Sequence, residues 1–471
     1  MEAMEEFREY EDKVLSTFVR QRIQPWQGVS LCPTLQLSIA GGVDCTPFHY
    51  LGKDRVKTDR WIGQFSLRGK SYQIVPRVGE KRFRAMLMAA EGLPELATMR
   101  ASSGVASGEW GRDILALLWT SALDYGRRLH GIIKGYVIRE EVDALALRGH
   151  LDLYRQLTEN ELGRKHRIAC VYNDLTYDNP INRAILCTIK RLQREGIFPF
   201  RKGLGNGSRR SMLFDWLDRL LTLGVSIDDQ VIPANRVLWT RNNDGFLRCH
   251  ELAERLERRG GAKTATSGLD NALLFDSAEV WEIFLFKRMQ IVAGNLGSGG
   301  LRLRSPRLQN RNIDYLIKYK GIIRGGLMPD YLLEEKGSSS EDWHTIGILD
   351  AKCRRLQEAR GTWLPDQGEV MQMALYSCNS LNSEKDKEAL PCALLYPKVN
   401  EKDVPGINAA VLTNGDGLVG HAPLNVTGNP DLSWWLVDLP DPEAKDNNWI
   451  NKVDEQLKKV LNYLRNPMRL P

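Results

Sequence analysis

The segment from residue 326 to 352 limits what this chain can fold into more than any other. It carries two apolar runs, "GLMPDYLLEE" and "HTIGILDAK", joined through the polar "KGSSSED". Apolar runs of this length with turn-forming residues between them predict two strands with a hairpin-like connection. Strand side chains alternate between faces, so Asp350 and Lys352 share one face and Ala351 takes the other. If the strands pair, Asp330 comes close to Asp350. Two close carboxylates repel unless a proton or a metal neutralises them. Oxygen ligands of this kind suit Mg²⁺, with Mn²⁺ as a substitute, and Mg²⁺ also binds substrate phosphates. The expected ligands are Asp330, Asp350 and the Ala351 carbonyl. Lys352 is placed to orient an attacking water or to stabilise charge on a pentacovalent phosphorus. The set suits phosphodiester hydrolysis.

The rest of the chain fits a protein with more than one core. At 471 residues two or three domains are expected. A 42% hydrophobic share and a 26% charged share are those of a globular protein. A net charge of +6 permits a polyanionic partner without demanding one. The eight cysteines form no CxxC pair and the seven histidines add no HxxxH, which argues against structural zinc. No signal peptide or membrane-length apolar window is evident, so a cytoplasmic protein is expected.

Along the chain, residues 1–25 read as helical. Residues 28–80 read as short strands in a small β-barrel or twisted sheet. Helical patterns follow from residue 83 and again in "WGRDILALLWTSALDYGRRLHGIIKG". The stretch "GYVIREEVDALALRGHLDLYRQL" reads as strand, and Asn179-Pro180 as a helix start. Asp276 with Glu279 forms a capping-box pattern that opens a further helix. The fold expected is an α+β region over residues 1–258, a linker over 259–269, and an α/β domain over 270–471. That last domain would have a central mixed sheet flanked by helices.

The "PD" at 329–330 and "DAK" at 350–352 resemble the PD-(D/E)xK nucleases. The neighbouring "EEK" at 334–336 follows Asp330 too closely to lie on a second strand and is set aside. The resemblance implies a third carboxylate on an upstream helix, which Glu282 matches as a catalytic and metal-binding candidate. Gln372 and Tyr376, four residues apart on one helix face, match the QxxxY of the RecB-like branch. Two plainer readings stay open: Glu282 as a solvated helix residue, and Tyr376 as core. The basic run 301–325 offers Arg302, Arg304, Arg307, Arg311, Lys318 and Lys320 as DNA-backbone contacts, or as a solvated sheet edge. One stretch, "GQFSLRGKS" at 63–71, mimics a phosphate-binding loop. It has five residues where four are needed and strand-like flanks on both sides, so no nucleotide is expected to bind this chain.

Several longer pieces resemble the McrC family, the nuclease subunits of McrBC-type modification-dependent restriction systems. They are "YQIVPRVGEKRFRAMLMAAEGL", "LALRGHLDLYRQL", "NDLTYDNPINRAILCTIKRL", "LLFDSAEVWEIFL", "GILDAKC" and "QMALY", in that order. The resemblance implies an endonuclease that works with an AAA+ GTPase resembling McrB, expected as a hexameric ring, on double-stranded, modified DNA. It further implies that the first half docks on the ring, enters its pore and stimulates hydrolysis. Arg148 in "RGH" and Arg183 in "NPINR" are the candidates for partner contact. Their surroundings also read structurally, with Gly149 in a tight turn. Two other functions compete: a stand-alone RecB-like repair nuclease, and a non-catalytic scaffold that activates the motor.

Overall fold

The computed structural model describes residues 5–8, 12–14, 48–52, 55–58, 60–67, 70–90, 110–144, 146–196, 207–227, 230–257, 269–296, 300–306, 317–319, 322–324, 329–337, 343–354, 356–359, 362–380, 390–398, 417–424, 430–442 and 448–466. The chain divides into two compact units, Met1–Met99 together with Thr264–Pro471, and Arg100–Lys263. This differs from the linear division expected at residues 259–269. Pairing between the strands Trp61–Leu67 and Leu269–Asp276 groups the chain's beginning with its end and makes the second unit an insertion.

The first unit opens with β1 (Glu5–Arg8), β2 (Asp12–Val14), β3 (Phe48–Gly52), β4 (Arg55–Thr58), β5 (Trp61–Leu67), β6 (Lys70–Val75) and helix α1 (Glu80–Ala90). The helical reading of the N-terminus is corrected here: β1 runs parallel to β6, with Glu5 opposite Tyr72, and β2 pairs with β4. Strand partners distant in sequence override a short local pattern. Strands β2, β4 and β3 form a separate three-stranded sheet, and closure into a barrel is not seen among the described strands. Residues 15–47, which include "LQLSIAGG", lie outside the described residues. Strands β5 and β6 pair antiparallel, so the GKS mimic runs from one strand into another, unlike the strand-to-helix step of a phosphate loop.

The second unit holds α2 (Trp110–His130), β7 (Gly135–Ala144), β8 (His150–Leu151), α3 (Leu153–Glu161), β9 (Ile168–Thr176), α4 (Pro180–Arg194), α5 (Gly207–Thr222) and α6 (Leu247–Glu257). Helix α3 corrects the strand reading of "LYRQL". Asp152 caps it by accepting the Arg155 N–H at 3.2 Å, which satisfies one of the first-turn donors. Asn179 caps α4 in the same way through the Asn182 N–H at 3.1 Å, with Pro180 at the first helical position, as expected. Helices α2 and α6 pack together. Gly126 is required nearby, because a Cβ there would stand 2.6 Å from the Phe246 ring.

The first unit resumes with β10 (Leu269–Asp276), α7 (Ser277–Leu296), β11 (Leu301–Arg304), β12 (Ile317–Tyr319), β13 (Ile322–Arg324), β14 (Tyr331–Lys336) and β15 (Trp343–Ala351). Then come β16 (Gln357–Ala359), β17 (Thr362–Leu364), α8 (Gln367–Ser380), β18 (Cys392–Pro397), β19 (Leu418–Pro423), β20 (Asp431–Val437) and α9 (Trp449–Arg465). Asp276 caps α7 through the N–H groups of Ala278 at 3.0 Å and Glu279 at 3.3 Å. Six strands form the expected mixed sheet in the order β11-β14-β15-β18-β20-β19. No helix among the described residues is long and apolar enough to cross a membrane.

Alternation along these strands sorts the sheet into two faces. Tyr331 stacks on Phe286 of α7 and donates its hydroxyl to the Glu282 carbonyl at 2.6 Å. Trp435 meets Tyr463 of α9 edge-on. The even-numbered Leu332, Ile348, Cys392, Leu394 and Trp434 instead join Met373 and Tyr376 of α8 in one buried cluster. Helices α7 and α9 therefore cover one face and α8 the other. All six residues of β18 are buried, as a central parallel strand requires.

Candidate active site

Strands β14 and β15 pair antiparallel, with Tyr331 opposite Leu349 and Leu332 opposite Ile348. The next step of that register sets Asp330 across from Asp350, on the α8 face. The Ala351 N–H donates to Asp330 Oδ2 at 2.8 Å, which fixes the carboxylate at the mouth of the hairpin. The two carboxyl groups are close enough for each to act on the other's proton affinity. Burial, then the charge of Asp330, push the Asp350 carboxyl well above the usual carboxylate range. Burial also raises Asp330, and the Glu282 charge adds to it.

Lys352 continues the strand beyond Ala351: its N–H donates to the Leu395 carbonyl at 2.9 Å. Its ammonium lies 2.9 Å from Asp350 Oδ2, which places both side chains on one face as expected. The ammonium also donates to Gln372 Oε1 at 2.9 Å, and Gln372 Nε2 donates to the Tyr376 hydroxyl at 2.6 Å. Gln372 and Tyr376 thus stand behind Lys352 on α8. Tyr376 satisfies both sequence readings, being a member of the apolar cluster and the anchor of Gln372. Burial, then the Asp350 charge, raise its proton affinity.

Glu282 is buried in α7, close enough to act on Asp330 through its charge. Among the described residues, however, no group of three His, Cys, Asp or Glu side chains converges tightly enough to hold a metal. The structure brings together Asp330, Asp350, the Ala351 backbone and Lys352, with Glu282 acting on Asp330 through its charge. A contact that sequence reading missed comes from the β-rich beginning of the chain. Arg77, buried after β6, donates through Nη2 to the Cys353 carbonyl at 2.7 Å, next to Lys352. No local pattern signals a bond across 276 positions. Also missed was the cap of α8, where the Asp366 N–H donates to Glu369 Oε2 at 3.0 Å, the Gly368 N–H donates to Asp366 Oδ1 at 2.9 Å, and Glu369 accepts the Tyr396 hydroxyl at 2.7 Å.

Of the basic candidates, Arg307, Arg311 and Lys320 lie outside the described residues, and Lys318 is described only as backbone of β12. Arg302 and Arg304 stand on β11, at the edge of the six-stranded sheet. Arg302 donates to Glu334 Oε2 at 2.6 Å, and Arg304 Nε lies 2.7 Å from Glu334 Oε1. Glu334 belongs to the discarded "EEK", which sits on the same strand as Tyr331, in agreement with its rejection.

In the second unit Arg148 is exposed, its guanidinium 5.7 Å from the Tyr172 ring. Gly149 adopts φ +67°, and a Cβ there would stand 2.5 Å from the Val171 carbonyl oxygen, which explains the glycine. Arg183, the other candidate for partner contact, is engaged within the unit. Its Nε and Nη2 each lie 2.7 Å from an oxygen of Asp178. The Ser226 N–H and hydroxyl reach the same carboxylate at 2.9 Å each.

The sequence matches the family model described as "McrBC 5-methylcytosine restriction system component" over residues 56–397. No curated protein matches the chain. Among solved structures, it is similar to a chain in a half-complex from a tetradecameric assembly of Thermococcus gammatolerans McrB AAA+ hexamers with bound McrC. That match has 15% identity, covers 98% of this chain and 100% of that one, and has a TM-score of 0.55. A second similarity, to a chain of the Thermococcus gammatolerans McrBC complex solved by cryo-EM, has 18% identity over 60% of this chain and 86% of that one. Its TM-score of 0.31 is too low to bear on the fold. The family match spans most of the chain, including the hairpin and the helix that build the site, and the chain therefore belongs to the McrBC 5-methylcytosine restriction system component family.

Proposed function

We propose that this chain is the Mg²⁺-dependent DNA endonuclease subunit of an McrBC-type restriction system, activated by an AAA+ GTPase whose hydrolysis it stimulates. The observation that carries the proposal is the pairing of Asp330 and Asp350 on one hairpin with Lys352 beside them. The donor set fits a hard divalent cation. Asp350 is buried with Oδ2 accepting no hydrogen bond beyond its ion pair with Lys352, next to a second carboxylate, which leaves oxygen free for a cation, and Mg²⁺ needs only one or two protein carboxylates when a phosphate and waters supply the rest. Asp330 and Asp350 would hold it, with the Ala351 carbonyl as a further donor. When bound, the ion supplies Lewis-acid stabilisation of charge on the phosphoryl oxygens.

The chain's own groups complete the chemistry. Lys352 presents its ammonium toward the attacked phosphate, where negative charge grows in the transition state. Gln372 holds that ammonium, and Tyr376 holds Gln372, so the charge is oriented before DNA arrives. The partner assignment draws on family membership and on the fold shared with the assembly of McrB AAA+ hexamers with bound McrC. The test is reconstitution. With the AAA+ GTPase of the same organism, GTP and Mg²⁺, the chain should cut 5-methylcytosine-containing DNA. Omitting the GTPase should abolish cutting. Efficient cutting by the chain with Mg²⁺ alone would favour a stand-alone nuclease.

A further inference from the structure

We infer that Glu334 is a positioning residue: it fixes Arg302 and Arg304 as a paired phosphate clamp on the sheet face that carries Asp330 and Asp350. This rests on the nuclease reading above and deepens it. Strand β11 pairs with β14 so that Arg302 stands opposite Glu334 and Arg304 opposite Leu332. Leu301 and Leu303 are buried on the side packed by α7, so the two arginines take the other face, that of Leu332 and α8. Asp330 lies two residues beyond Leu332. Arg304 is therefore displaced from Asp330 by about 7 Å along the strand and by one strand spacing of about 4.8 Å across it, with Asp350 one strand further on.

The geometry around Glu334 goes beyond an ordinary edge ion pair. Its side chain is 4% exposed, and it engages Nε of both arginines. Neutralising one buried carboxylate takes one arginine; the second leaves a net positive charge. Arg302 donates Nε to this carboxylate, Arg304 holds Nε 2.7 Å from it, and the two arginines keep side-chain exposures of 42% and 22%, which leaves guanidinium surface for a ligand. The Arg302 guanidinium also lies 3.9 Å over the Trp343 ring. A guanidinium held on two sides has lost its rotamer freedom before a ligand binds, and a fixed planar fork suits a phosphate. The ligand this fits is a DNA phosphate flanking the one at the carboxylate pair.

The test measures binding of the full-length chain to a duplex in EDTA across a salt series, and cleavage kinetics in the reconstituted system. Arg302→Ala and Arg304→Ala should each weaken binding and lower the salt slope by about one. Glu334→Gln decides the role of the carboxylate. It removes a negative charge, so a purely electrostatic role predicts equal or tighter binding. Positioning predicts binding weaker by about five- to tenfold, with KM raised and kcat little changed. The same Glu334→Gln change in an Arg302→Ala/Arg304→Ala background should have no further effect, since the groups it positions are gone. Equal or tighter binding by Glu334→Gln, or an equal loss in both backgrounds, would overturn the inference and leave the nuclease reading intact. Unchanged binding by both arginine variants would overturn the clamp itself. Failure of the wild-type chain to cut in the reconstituted system would instead count against the nuclease reading.

Discussion

Two carboxylates in this molecule show opposite electrostatics. In the second unit, Asp178 receives two hydrogen bonds from Arg183 and two from Ser226. Hydrogen bonding from Arg183 is the main cause that lowers its pKa to about 2. In the first unit, Asp350 is buried beside a second carboxylate and faces one ammonium, and its proton affinity rises instead. The first arrangement is complete within the chain. The second sets two carboxyl groups beside one ammonium, an arrangement that the proposed cation and phosphate chemistry would use. On the proposed function, the direction of the shift, more than burial or the mere presence of an ion pair, separates the structural site from the one that would carry the chemistry.

The sharpest way to break this comparison is to remove each carboxylate and read activity. Asp350→Ala should lower cleavage by about a hundredfold or more, while Asp178→Ala should leave the rate per folded molecule nearly unchanged. Single-turnover DNA cleavage on matched preparations measures both. Equal losses would erase the distinction.

Metal binding sharpens it next. Mg²⁺ at about a hundred times its dissociation constant should stabilise the wild-type chain by about 2.7 kcal/mol, a rise of a few degrees in unfolding temperature. The Asp330→Asn/Asp350→Asn double variant should show no such rise. Without metal it should be at least as stable as wild type, because it removes the repulsion. Thermal scans with and without Mg²⁺ read both arms, and a metal-dependent rise in the double variant would contradict the ligand assignment.

Asp178 provides the complementary stability test. A folded-state pKa below the ordinary 3.8 means that its contribution is present above about pH 4 and is lost as pH falls toward 2. After allowance for solvent screening, Asp178→Asn should cost roughly 1–2 kcal/mol at neutral pH. Denaturant unfolding from pH 7 down to pH 3 should show the gap between wild type and variant narrowing on the acid side. The smallest effect belongs to Gln372→Ala, which removes one hydrogen bond to Lys352. About 1 kcal/mol, or roughly fivefold in cleavage rate, is expected, with metal-induced stabilisation unchanged.

Much of the site is legible in the sequence because it is built from local patterns. The period-two alternation of the hairpin dictated that Asp350 and Lys352 share a face, and the four-residue spacing of Gln372 and Tyr376 placed them together on α8. The caps at Asn179 and Asp276 were legible for the same reason. What stayed hidden depends on distant partners. Strand β1 exists because Glu5–Arg8 finds β6, and the helical pattern of its own residues said otherwise. The engagement of Arg183 stayed out of view because Ser226, which completes the cluster around Asp178, lies 48 residues from that carboxylate. Glu334 read as a decoy, and only the cross-strand register reveals the two arginines that it holds.

The measurement that bears most directly on the nuclease assignment is a paired assay of Lys352→Ala in one reconstituted preparation, with DNA cleavage by gel and phosphate release by the GTPase. Lys352 is a partly buried charge that touches Asp350 and Gln372. Its loss should matter most as charge builds on phosphorus. We predict cleavage reduced by about a hundredfold or more, with partner binding and GTPase stimulation intact. Normal cleavage would remove Lys352 from the site, and loss of both activities in a folded variant would show that the residue serves the architecture and not the chemistry.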